Sequence, residues 1–339
     1  MNVIELHKKT WDRLQARRER LPHALLLVGQ KGMGKFELAR FFAAGLLCEE
    51  PTPDGTACGH CLACNWFAQG NHPDFRLLQP EALSADGEAE EGKKKPSQQI
   101  TIDQVRALDD FLTVGTHRGG LRIVIVNPTE AMNRSTANAL LKTLEEPPPS
   151  SLFLLVSSEP MRLLPTIRSR CQLIAVPTPQ PAHAEKILAA AGLSDAARWL
   201  ALAGGSPGLA LEMGNAGQGA WLGMLLTRLG AGPRVDPLAA AAELDKVLRD
   251  GKGKVLLKQF VEAVQKWLVD LTLAGERLPP RYFLAEQGTI AGLAAMIPPA
   301  RLIAAYRASG VRRQEAEQPL NARLFLEGLF LDYRALFAN

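Results

Sequence analysis

A chain of 339 residues is longer than a single hydrophobic core usually organises, so two or three domains are expected. Hydrophobic residues make up 47% and charged residues 22%, which excludes a disordered or membrane-embedded chain. A net charge of +4 is too small to establish nucleic-acid binding, and no apolar run of signal-peptide or membrane-spanning length is present, so a cytoplasmic location is expected.

In chain order, Ala24–Val28 is a short apolar run ended by glycine, and Phe36–Leu47 repeats apolar residues at helical spacing. Between them lies Gly29-Gln-Lys-Gly-Met-Gly34-Lys35, a G-x-x-x-x-G-K phosphate loop in the strand–loop–helix setting that gives the motif meaning. Gly29, Gly32 and Gly34 let backbone N–H groups curl around phosphate oxygens, and Lys35 would reach the outer phosphates. The next residue should be Ser or Thr, to hold magnesium, but it is Phe36.

Cys48, Cys58, Cys61 and Cys64 follow C-x9-C-x2-C-x2-C and predict a structural zinc module over 48–64. An iron–sulfur cluster and free thiols are the alternatives. With four thiolates available, His60 and His72 are not needed as ligands, and Cys171 is expected to be a small buried side chain. Glu81–Gln99 lacks periodicity and is predicted to be a mobile insertion.

Leu121–Val126 and Ser151–Val156 are further buried-strand candidates, and Ser135–Glu146 is a helix stopped by Pro147–Pro149. Catalysis needs an Asp at the end of the first of these strands, with an acid that orients water, yet the sequence reads Asn127-Pro128. Glu130 is the nearest acid, and it would need an altered backbone path to substitute.

Three prolines near Val176–Pro181 end the strand pattern. Pro181–Ala191, Ser194–Ala203 and Pro207–Met213 then read as short helices, and Lys254–Ala274 and Ala322–Phe337 as long ones. The fold class expected is an α/β nucleotide-binding domain, with a parallel sheet and flanking helices, followed by all-helical regions.

Several segments carry a family resemblance. They are Leu21-Pro-His-Ala-Leu-Leu-Leu-Val-Gly29, the four cysteines, His72-Pro-Asp74, Ile100-Thr-Ile-Asp-Gln-Val-Arg106, and Ala137-Asn-Ala-Leu-Leu-Lys-Thr-Leu-Glu-Glu-Pro-Pro148. Together with Ser169-Arg170-Cys171 and Pro319-Leu-Asn-Ala-Arg-Leu-Phe-Leu-Glu327, they resemble the delta-prime family of bacterial DNA polymerase III clamp-loader subunits, which are AAA+ proteins. The resemblance implies an AAA+ RecA-like domain over 1–178, a helical lid over 179–216 and a helical collar over 217–339 that holds a five-membered ring together.

It also implies a role in DNA replication as a component of the DNA-directed DNA polymerase holoenzyme, associated with the replisome on the nucleoid. The implied partners are gamma/tau motor subunits, the delta subunit, the sliding clamp and primer-template DNA. Arg170, flanked by Ser169 and Cys171, would be an arginine finger acting in trans on a neighbour's ATP, and no residue would be catalytic in cis. Motor subunits of this kind carry an arginine where the stretch Gly205-Ser-Pro-Gly208 has Gly208.

ATP or ADP could therefore be held at Gly29, Gly32, Gly34 and Lys35 without hydrolysis. Two other readings compete. One is an active gamma/tau-type ATPase, favoured by the intact Lys35 loop. The other is a zinc-dependent DNA-binding module, suggested by the cysteines and by Arg13, Arg17, Arg18 and Arg20.

Overall fold

A computed structural model describes residues 2–83, 96–113, 120–215, 219–250, 255–318 and 320–338. The chain divides into two compact units, Met1–His183 and Ala184–Asn339.

The first unit begins with two helices, α1 (Val3–Leu6) and α2 (Lys8–Gln15). Strand β1 (Ala24–Val28) leads through the phosphate loop into α3 (Lys35–Leu47), and α4 (Leu62–Ala68) follows the cysteine segment. Next come β2 (Phe75–Leu78), α5 (Ile102–Thr113), β3 (Arg122–Val126) and α6 (Arg134–Glu145). The alternation closes with β4 (Ser151–Ser157), α7 (Pro165–Ser169) and β5 (Gln172–Ala175).

The five strands form one parallel sheet in the order β2-β3-β4-β1-β5. Alternate side chains point to opposite faces, and both faces are covered. Leu25, Leu27, Ile123, Ile125, Leu152 and Leu154 pack with Trp11, Leu38 and Phe42 on one side. Leu26, Val124, Val126, Phe153 and Leu155 pack with Leu108, Leu140 and Ile167 on the other. A parallel sheet needs this double cover, which is why the interiors of its central strands are apolar, with Arg122, Ser151 and Ser157 only at strand ends. The α/β nucleotide-binding architecture expected from the sequence is the one observed.

The expected insertion over 81–99 is described only at its ends, and its Lys93–Lys95 run lies outside the described residues, as does Pro319. Those ends are tied together: Ser97 N–H donates to Glu81 Oε2 at 3.1 Å, and Ala82 N–H to the Ser97 carbonyl at 3.1 Å.

In the second unit every regular element is helical among the described residues. Helices α8 (Pro181–Ala190), α9 (Ala196–Leu202) and α10 (Pro207–Asn215) are short, and α8 begins just before the division between units. They are followed by α11 (Gly219–Gly230), α12 (Pro237–Asp250), α13 (Leu257–Gly275), α14 (Gln287–Ala294), α15 (Pro299–Glu315) and α16 (Ala322–Ala335). One core joins α9 to α16, including Leu202, Trp221, Leu244, Phe260, Trp267 and Phe330, so most of the expected lid and the collar share a compact unit here.

Asp270 on α13 is fully buried, and its carboxylate accepts from the backbone N–H groups of Arg281 at 2.8 Å, Tyr282 at 3.0 Å and Phe283 at 2.8 Å. Asp270→Ala strips three backbone N–H groups, that of Phe283 buried and the others partly so, of their acceptor and is expected to cost about 3 kcal/mol. Asp270→Asn, which keeps one acceptor oxygen, should cost less. Urea unfolding of both variants checks this, and equal losses would assign the effect to packing instead.

Candidate functional site

Loops at the carboxyl ends of β1, β3 and β4 converge, which is where open parallel sheets place their ligand sites. The phosphate loop follows β1, and its three glycines are required by geometry, Gly32 with φ of +77°. A side chain at Gly29 would lie 2.3 Å from the Val176 carbonyl oxygen, and Gly34 has φ of +76°, a left-handed conformation disfavoured for other residues. The loop is braced from outside by α1 and α2: His7 Nε2 hydrogen-bonds the Met33 carbonyl at 2.7 Å across buried surroundings. Burial holds the His7 imidazole below its ordinary pKa, with Lys35 adding to the effect against the Met33 bond.

Lys35 is only 4% exposed. Its ammonium donates to the Gln30 carbonyl at 2.6 Å and to Ser158 Oγ, just beyond β4, at 3.0 Å. Burial lowers its pKa to about 8, partly offset by the charges of Glu130 and Glu37. Glu130 turns back from the end of β3, so that its Oε1 accepts the Ser158 N–H at 2.9 Å, and its Oε2 is buried without a donor. Thr129 Oγ1 fastens the two strand ends by donating to the carbonyls of Val126 at 3.2 Å and Val156 at 3.0 Å. Glu130 is thereby linked through Ser158 to Lys35, and Ser158 is a participant that the sequence did not single out.

Phe36 packs its ring against the core on the α3 side, with the Arg40 guanidinium 5.8 Å from its centroid. It offers no oxygen for a cation. The Asn127 N–H is used by the Leu78 carbonyl at 2.9 Å, and Pro128 follows with no donor or ionisable group.

The four cysteines come together as expected. All four Sγ atoms lie within 4.8 Å of one another, with Cys48–Cys61 at 3.9 Å, Cys58–Cys64 at 3.8 Å and Cys64–Cys48 at 3.6 Å. None is in a disulfide. A tetrahedron of sulfurs about 2.3 Å from one metal ion has edges of about 3.8 Å, so the cluster could hold a metal ion.

Backbone N–H groups of Cys58, Cys61 and Cys64 donate to the sulfurs of Cys48, Cys58 and Cys61 at 3.2, 3.4 and 3.4 Å, which favours thiolates. Burial pushes the Cys64 thiol up to about 12. At Cys61 burial acts the same way, but the Cys64 N–H and the neighbouring thiols outweigh it and bring the group down to about 7. The buried His72 is not part of the cluster, and its Nδ1 accepts the Asp74 N–H at 3.1 Å.

Arg170 caps the carboxyl end of α7. Its guanidinium meets Glu145 Oε1 at 2.5 Å and donates to the Thr166 carbonyl at 2.9 Å, while the side chain remains 33% exposed. Ser169 Oγ donates to the same Thr166 carbonyl at 3.1 Å. Cys171 is half-buried rather than fully buried, because β5 lies at the sheet edge, and burial lifts its thiol to about 11.

Of the basic cluster, Arg13 and Arg20 are exposed and Arg17 and Arg18 are half-buried. Arg18 donates to the Gly45 carbonyl at 2.9 Å, and Arg17 to the Arg13 carbonyl at 2.7 Å. The Gly205–Gly208 stretch leads into α10, with Ser206 buried.

Residues 6–180, just over half of the chain, match the sequence family described as DNA polymerase III, delta subunit. Over 210 residues the chain is 44% identical to DNA polymerase III subunit delta' of Pseudomonas aeruginosa, covering 61% of this chain and 60% of that protein. The chain belongs to the DNA polymerase III delta-prime family.

A second relative, subunit delta' of Escherichia coli, is 36% identical over 197 residues, covering 56% of this chain and 54% of that protein. Similarity also extends to the tau/gamma subunit of Haemophilus influenzae, at 36% identity over 152 residues, 45% of this chain and 20% of that protein. The matches to the delta-prime relatives thus span little more than half of their length. With this family, the parallel sheet and its phosphate loop are those of an AAA+ domain, carrying a four-cysteine insertion able to hold a metal. No helix among the described residues is long and apolar enough to cross a membrane.

Proposed function

We propose that this chain is a clamp-loader subunit of the DNA polymerase III holoenzyme that hydrolyses no ATP itself. It helps place the sliding clamp on primed DNA and lends Arg170 to the ATP site of a neighbouring tau/gamma-type subunit. The observation that carries the silent half is the make-up of the strand-end crevice. Lys35 and its glycines are in place, but the positions that should bind magnesium and orient water are a packed phenyl ring, an amide and a proline. Phosphoryl transfer is catalysed almost wholly by positioning and charge neutralisation, so their loss leaves binding without turnover.

The lending half rests on the family and on Arg170 itself. An exposed ion pair such as Arg170–Glu145 contributes little, so a phosphate oxygen of a neighbour can replace the carboxylate at small cost. The tau/gamma and delta subunits are the proposed partners, with the clamp and primer-template DNA reached through the assembly in the cytoplasm. The cluster of Cys48, Cys58, Cys61 and Cys64 is assigned to structural zinc. Its sulfurs are close enough to share one ion, whereas the ligands of an iron–sulfur cluster are spread over separate irons.

An active ATPase of gamma/tau type remains the second reading, favoured by the approach of Glu130 to Ser158 beside Lys35. The purified chain is expected to release no phosphate from ATP above background. Turnover that disappears in both Lys35→Ala and Glu130→Gln would establish the second reading in its place.

A further inference from the structure

The groups around Lys35 bear on which phosphate chain the loop accepts. In a loop of this type the backbone N–H groups surround the inner phosphates, and a third phosphate extends past the lysine toward the carboxyl ends of the neighbouring strands. In this chain that side is occupied by Ser158 and Glu130. Ser158 Oγ is bonded to Lys35 Nζ at 3.0 Å, and the Ser158 N–H is bonded to Glu130 Oε1 at 2.9 Å.

Glu130 is therefore joined to the ammonium through Ser158, fixed at one oxygen and buried without a donor at the other. No magnesium ligand is available at Phe36, Asn127 or Pro128 to neutralise a third phosphate. Two anions would then face each other in a crevice of low dielectric, a costly arrangement. A diphosphate ends at the lysine and avoids the encounter.

We infer that Glu130 is a specificity-determining residue that makes the phosphate loop a magnesium-independent site for nucleoside diphosphates and turns triphosphates away. This rests on reading the Lys35 loop as a nucleotide-phosphate site, and is independent of what Arg170 does elsewhere. A ligand for magnesium would act in the opposite sense, since removing it would weaken binding of the triphosphate.

The test is equilibrium binding of ADP and ATP to the full chain, with magnesium and with EDTA, for the wild type, Glu130→Gln, and Glu130→Gln combined with Lys35→Ala. The wild type should prefer ADP by about tenfold or more, equally in both buffers. Glu130→Gln should tighten ATP by a similar factor while moving ADP little, a change of ratio that a merely structural defect would not produce. Thermal unfolding confirms that the variants fold.

If ADP fails to bind the wild type at about 1 mM, the diphosphate site is overturned, whatever Glu130→Gln does to ATP. An unchanged ADP/ATP ratio in Glu130→Gln, with binding that still needs Lys35, overturns the role of Glu130 alone. Binding that survives loss of Lys35 overturns the site itself.

Discussion

Arg170→Ala in a reconstituted loader is expected to slow ATP turnover by about 10³-fold, the lower end of what an arginine finger supplies to the site it serves. That factor corresponds to about 4 kcal/mol of transition-state stabilisation. Arg170→Lys should recover only part of it, because an ammonium cannot present the planar fork of a guanidinium to phosphate oxygens. The same substitution should scarcely disturb the isolated chain. Among the described residues Arg170 is bound to Glu145 and to the Thr166 carbonyl at the surface, and exposed pairs contribute under about 1 kcal/mol. Steady-state turnover beside a melting curve and an assembly profile makes the measurement. Turnover unchanged in Arg170→Ala would remove the arginine from the mechanism, and loss of assembly would make it an interface residue instead.

Removal of the metal is expected to have the largest effect on stability. The segment from Cys48 to Ala68 buries few apolar side chains, Ala63 and Phe67 apart from the cysteines, and is tied to α2 by the Trp11 Nε1 bond to the Asp54 carbonyl at 3.0 Å. Structural zinc contributes roughly 10 kcal/mol or more to small modules of this kind at neutral pH. Part of that is already replaced here by packing on α3, so loss of a few kcal/mol is expected, and a fall in Tm of about 10 °C for the first unit. Elemental analysis should find one zinc per chain, and either strong chelation or Cys61→Ser should produce the drop. Iron with visible absorbance would establish a cluster, and a metal-free chain with unchanged Tm would leave four free thiols.

How much of this was legible in the sequence depended on the range of the contacts. Strands β1, β3 and β4 stand in the middle of the sheet, so both faces must be apolar and the runs are conspicuous. Strands β2 and β5 form the edges. Arg76 interrupts the first, and three of the four residues of the second are exposed, with Leu173 at 58%, so neither carries a continuous apolar signature. The cysteine cluster was readable because three of its cysteines fall within seven residues.

The surroundings of Lys35 were not readable, since they come from far along the chain. Ser158 lies 123 residues away, and Glu130, its other partner, is separated from it by 28. The brace from His7 to Met33 was hidden in the same way, because a lone histidine before a short helix announces nothing until the fold places it. Missing chemistry was more legible than present chemistry: a phenylalanine beside the loop lysine is informative without any neighbour, whereas a glutamate gains its meaning from what it touches.

Helix α3 joins features that the sequence presents as separate. Its first residue is Lys35 and its C-terminal cap is Cys48, so thirteen residues, a rod about 20 Å long, run from the phosphate loop to the thiolate cluster. Helices ordinarily open by fraying from their ends, and here neither end is free. One is pinned through Met33 to His7 and the other by a sulfur that three further cysteines surround. Amide protons in the middle of α3 should therefore be able to exchange with solvent only when the whole first unit unfolds, which makes this helix the keystone of that unit's cooperativity.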